Sequence, residues 1–147
     1  MGVTEVDGHS FKDIGLPEFT VISRKESETG DILYTVEPKE RIADCPACGG
    51  KLHIHKDAKR KVKDLDEFGH RVGIVVKGKS YRCKDCGETV REEYASICGQ
   101  MTRRMVESIQ RDVFGDMTFT QIARRYNVSV STVQGLFEEQ GEKLWTA

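Results

Sequence analysis

The sequence predicts an α+β fold: an N-terminal β-hairpin and a small antiparallel ribbon built on two cysteine pairs, followed by a three-helix helix-turn-helix unit. Three observations carry this reading. Cys45-Pro-Ala-Cys48-Gly recurs as Cys83-Lys-Asp-Cys86-Gly, with 34 residues between the pairs. The segment between the pairs contains β-rich runs such as "HRVGIVVKGKSYRC". From Thr102 onward the apolar period becomes helical. Residues 1–91 are thus assigned to hairpin and ribbon, 92–101 to a connector, and 102–147 to the helical unit.

The elements follow in order. Residues 1–18 give little pattern beyond the entry "IGLPEF". Two β-rich runs, Phe19–Arg24 and Ile32–Val36, then flank the polar turn "ESETGD" and read as a hairpin. In the tail, Met105, Ile109 and Val113 fall four apart with Val106 on the same face, which makes Arg103–Val113 a helix stopped by Gly115. Thr118 followed by Gln121 is a capping box for a second helix in "TFTQIARRYN". A third runs from about Val130 to Leu144, with Ser129 as its cap.

Within that tail, "FTQIARRYNVSVSTVQGLF" has the layout of two helices crossing at a tight turn. Ala123 is small where they cross, and Asn127, which tolerates positive φ, stands where glycine is usual. Val128, Val133, Leu136 and Ile122 face inward, and the first helix completes the core. Arg124 and Arg125 are left to meet a backbone. Ser129, Ser131, Thr132 and Gln134 are left at the outer start of the third helix, where such side chains read base edges.

Two thiolates spaced by two residues can face one ion from a tight knuckle, and the glycine behind them lets the chain turn back toward the sulfurs. Cys45, Cys48, Cys83 and Cys86 therefore form a closed, soft, four-sulfur site suited to one structural zinc. Rubredoxin-type iron sites share these knuckles. The basic, aromatic-poor loops and the helical pattern that follows favour zinc. A thioredoxin-type redox pair needs one such pair at a strand–helix junction, not two knuckles. Without its ion, a ribbon this small is expected to bury too little to hold its strands. Cys98 reads as a small buried side chain, His53 and His55 as surface residues on a strand, and His70 as solvated in the turn "DEFGHR".

Charge is partitioned along the chain. The net charge is -1 overall, but residues 1–44 carry 10 acids and 5 bases, residues 51–91 carry 6 acids and 12 bases, and residues 92–147 carry 8 acids and 6 bases. The basic middle peaks at "KDAKRKVK", which makes Lys56, Lys59, Arg60, Lys61 and Lys63 the candidates for phosphate contact. Five cysteines, no apolar stretch of membrane-spanning length and no signal-like N-terminus point to a reducing cytoplasm without membrane association.

Taken in order, these parts resemble the N-terminal region of bacterial insertion-sequence transposases of the ISL-three family. The resemblance rests on "IGLPEFTVIS…ILYTVEP", "CPACGG", "KRKVKDLDEFGHRVGIVVKGKSYRCKDCGETV" and "MTFTQIARRYNVSVSTVQGLF". It implies a zinc ribbon and helix-turn-helix that bind the terminal inverted repeats of a transposon. In that family a further helical segment and an RNase-H-like domain with an acidic triad follow. Here the chain stops at "EKLWTA", so no catalysis is expected of these residues. The leading expectation is a zinc-stabilised, non-enzymatic binder of double-stranded DNA, with a homodimer left open. A second reading, favoured by the acidic flanks, is a stand-alone phage or mobile-element adaptor that binds a host protein. A third is electron transfer through an iron centre.

Overall fold

The computed structural model describes residues 4–6 and 14–146, with side chains over 14–139. Among the described residues, eight strands form one sheet: β1 (Thr4–Val6), β2 (Phe19–Glu26), β3 (Ile32–Pro38), β4 (Leu52–Glu67), β5 (His70–Cys83), β6 (Thr89–Arg91), β7 (Ile97–Cys98) and β8 (Met101–Thr102). Three helices follow: α1 (Arg103–Val113), α2 (Phe119–Tyr126) and α3 (Val130–Thr146). The strand order is β1-β2-β3-β5-β4-β8-β7, with β6 pairing β5.

The long β4–β5 pair is the spine. At one end it closes through Phe68 and Gly69, both at positive φ, in the two-residue turn that matches the twist of antiparallel strands. At the other end it carries the two knuckles. The hairpin and the ribbon are not separate antiparallel units, because β3 pairs parallel to β5. That register aligns Ile32 with Val72, Tyr34 with Ile74 and Val36 with Val76. All six side chains lie on one face and are buried, so joining the two hairpins makes one apolar face from two narrow ones. Val62 on β4, Leu16 and Ile97 complete this core, with Tyr94 packed against it. The ribbon thus shares an apolar core at its turn end, and the buried cluster at its knuckle end is smaller.

The opposite sheet face is open. Register places Lys63, Gly73, Leu33 and Lys25 in one row across it, Lys61, Val75 and Thr35 in the next, and Lys59 opposite Lys77 in the third. The stretch expected as a connector supplies β7 and β8, which extend the sheet beyond β4.

The helices form a second core of Met105, Val106, Ile109, Ile122, Ala123, Tyr126, Val133 and Leu136. Their ends are set by local chemistry. Thr102 Oγ1 accepts from Met105 N, and Thr118 with Gln121 forms a complete capping box. Asn127 ends α2 at φ 56, and Ser129 Oγ accepts from Thr132 N at 3.1 Å at the start of α3. Sheet and helices are joined through Asp64 of β4. Its buried carboxylate accepts from Thr102 Oγ1 at 2.6 Å and Arg104 Nε at 2.9 Å, and pairs with Arg104 Nη2. Among the described residues, no helix is long and apolar enough to cross a membrane.

Candidate metal centre and nucleic-acid interface

The two knuckles repeat each other bond for bond. Gly49 N donates to Cys45 O at 2.8 Å, and Gly87 N donates to Cys83 O at 2.9 Å. Cys45 N reaches Gly50 O at 2.7 Å, and Cys83 N reaches Glu88 O at 3.0 Å. Gly49 and Gly87 both sit at φ 75, where a side chain would be strained. Gly50 has a different reason: a Cβ there would collide with the Asp85 carboxylate of the facing knuckle.

This folding brings the sulfurs of Cys45, Cys48, Cys83 and Cys86 within 4.8 Å of one another. Cys45 Sγ lies 3.6 Å from Cys86 Sγ, and Cys48 Sγ lies 3.4 Å from Cys83 Sγ. A tetrahedral ion at zinc–sulfur distance requires sulfurs about 3.8 Å apart, so the donor set fits zinc in type and in spacing. Gly50 N points at Cys48 Sγ from 3.4 Å. The Cys86 backbone N–H, helped by Cys48 and Asp85, draws the Cys83 thiol down to about 7, whereas at Cys86 the backbone bond from Glu88 is outweighed by burial and the neighbouring thiols, which raise it. Backbone donors favour thiolate here, the form that binds metal.

Residues 43–86 match the family model of the zinc-finger of transposase IS204/IS1001/IS1096/IS1165. Both knuckles lie inside that match, and the four cysteines form a zinc-ribbon site for one structural zinc ion. No curated protein matches the chain, and no solved structure does. The match ends just past β5, so β6 and the helices lie outside it.

The basic run of this zinc finger does not form one surface. A bulge between Ile54 and Lys56 resets the alternation of β4. Lys59, Lys61 and Lys63 consequently line the open face, whereas Lys56 and Arg60 share the packed face with Val62. Lys63 Nζ donates to Asn127 O at 2.6 Å, and Arg60 Nη2 to Gly99 O at 2.6 Å, so both tie the sheet to neighbouring segments. The side chains of Lys59, Lys61 and Lys77 make no hydrogen bond or ion pair among the described residues.

The helical candidates divide similarly. Arg125 is occupied: it pairs with Asp112 at 3.4 Å and lies over the Tyr126 ring at 5.7 Å. Ser129 and Thr132 use their hydroxyls on each other at 2.8 Å. Arg124, Ser131 and Gln134 are exposed, with Gln134 Nε2 reaching Glu138 at 3.4 Å. Exposed His53 sits opposite Arg82, whereas half-buried Cys98 packs against the helical core.

Sequence reasoning missed two tethers. Arg71 Nη1 donates to Arg125 O at 2.8 Å and pairs with Asp66, so it caps the C-terminal end of α2 from the sheet. Asp64 fastens α1 as described. Both act on partners far along the chain, and neither has a local sequence signal.

Proposed function

We propose that this chain is a non-enzymatic, zinc-stabilised binder of double-stranded DNA that acts like the end-binding module of a transposase. In this reading α2 and α3 work as a helix-turn-helix, and the first turn of α3 enters the major groove with Ser131 and Gln134 toward base edges. Arg124 and the open-face lysines contact phosphate. The apolar core around Val62, Ile74 and Val76 keeps β4 and β5 in register there, so that the lysines stand at intervals of about 6.8 Å along β4, and the zinc site orders the knuckle end beyond them.

The observation that carries the proposal is the bond from Lys63 Nζ to Asn127 O. It ties the lysine row of the open face to the turn that precedes α3. Arg71 grips the end of α2 beside it, which supports reading the base-reading and phosphate-tracking parts as one surface. The zinc-finger match over residues 43–86 supports a nucleic-acid role for the ribbon.

The test is fluorescence anisotropy on labelled duplexes across a salt series. Replacing Lys59, Lys61 and Lys77 by alanine should reduce the log–log salt slope by about 3, at roughly 0.9 for each phosphate no longer neutralised. Selection from random duplexes should enrich one site, and Gln134→Ala should relax preference within it. A flat salt response together with no enrichment would sink the proposal.

A further inference from the structure

At the knuckle end the packed face of the sheet changes character. Beyond Val76 and Gly78, the next inward position on β5 is Ser80, and register sets it directly between Lys56 on β4 and Arg91 on β6. Ser80 is 1% exposed, and its Oγ has no hydrogen-bond partner among the described residues. A buried hydroxyl left unpaired is costly, and such groups usually find a partner in water or a ligand. Lys56 and Arg91 beside it make no ion pair among the described residues.

These three residues lie in a groove of about 710 Å³. Arg60 lines it, held by its bond to Gly99 O, and Tyr94 and Gln100 wall it. Gly78 leaves room for the Tyr94 hydroxyl, since a Cβ there would collide with it. Three acids, Asp57, Glu92 and Glu93, line the groove against six bases, so it keeps a net positive charge; Asp57 pairs with Lys79, and Glu92 Oε1 accepts from Lys79 N at 2.5 Å.

We propose that this groove seats a phosphodiester of a nucleic-acid strand, with Lys56 and Arg91 clamping the anion and Ser80 Oγ donating from the floor. The inference rests on the nucleic-acid reading above and places a second contact on the packed face around Ser80, in a groove whose β4 rim includes Lys59 and Lys61 and which excludes Lys77. A strand held there passes the β4 edge and is gripped from both sides of the sheet.

The test uses the full, zinc-loaded chain. Lys56→Ala with Arg91→Ala should weaken duplex binding about ten-fold and lower the salt slope by about 1, with zinc content and Tm unchanged. Ser80→Ala separates the roles by sign. Removing an unpaired buried hydroxyl should raise Tm, yet it should also weaken binding. A rise in Tm with unaltered affinity would leave Ser80 purely structural and overturn the seat. So would full affinity in the Lys56/Arg91 double variant while Lys77→Ala, outside the groove, weakens binding. If the wild-type chain binds no duplex at all, the broader DNA reading falls. The groove is then judged by inorganic phosphate in an amide NMR titration: shifts at Ser80 and Arg91 retain an anion seat, and their absence removes it.

Discussion

The two ends of the β4–β5 pair are built from the same strands and held by different physics. At the turn end, Val62, Val72, Ile74 and Val76 pack with Ile32, Tyr34 and Val36 in a continuous core. At the knuckle end, the buried cluster is Cys45, Leu52, Tyr81 and Cys83, two of which are metal ligands. Apolar burial scales with area, and four residues supply too little of it to order two loops. The zinc stands in for the missing core at that end only. One consequence is that the knuckle end is free to carry charge on both faces, whereas the turn end spends one face on packing.

Removing the metal should break this comparison most severely. Structural zinc in small modules is worth on the order of 10–16 kcal/mol in apparent binding energy, so Cys83→Ser or a strong chelator should disorder the knuckles. Hydrogen exchange should rise sharply over residues 43–54 and 80–91. Amides of Ile74 and Ile109 should stay protected. Global unfolding on chelation would show instead that the metal holds the whole sheet.

The reverse experiment is Ile74→Ala, at a side chain that is 0% exposed. Loss of transfer energy and the cavity left behind should cost about 2–5 kcal/mol, read from a denaturant midpoint. Zinc stoichiometry of the folded fraction should not change. A smaller effect is expected from Asp64→Asn, which weakens the bonds to Thr102 and Arg104. It should cost about 1–3 kcal/mol and raise hydrogen exchange in α1 before it does so in β5.

These contrasts also mark what could be read in advance. The knuckles, the Arg103–Val113 helix, the Thr118–Gln121 box and the positive φ at Asn127 all depend on residues within four positions of each other. Such signals are local and survive in the sequence. The parallel β3–β5 pairing was not legible, because its partners are about forty residues apart and its register is chosen by burial. The facing of "KDAKRKVK" was hidden for a second reason. A bulge between Ile54 and Lys56 has no residue signature in that run, yet it decides which lysines share the open face. Ser80 gave no signal, since an unpaired hydroxyl is a property of its surroundings.

The smallest effect on stability tests the open face most directly. Lys59 and Lys77 stand directly opposite each other across β4 and β5, and like charges so placed repel. Neither side chain has a hydrogen bond or ion pair among the described residues, although the Asp57 carboxylate feels both charges. A face selected for stability alone would place an acid at one of these positions. Lys77→Glu should accordingly stabilise the free protein by about 0.2–1 kcal/mol, a rise in Tm of up to about 4 °C. The same change should weaken duplex binding, because it puts an anion in the middle of the lysine row. Opposite signs for Tm and affinity would show that the repulsion is retained for a polyanionic partner. A gain in Tm with unchanged affinity would instead assign nucleic-acid contact to the groove around Ser80 and to α3, leaving the open face as solvated surface.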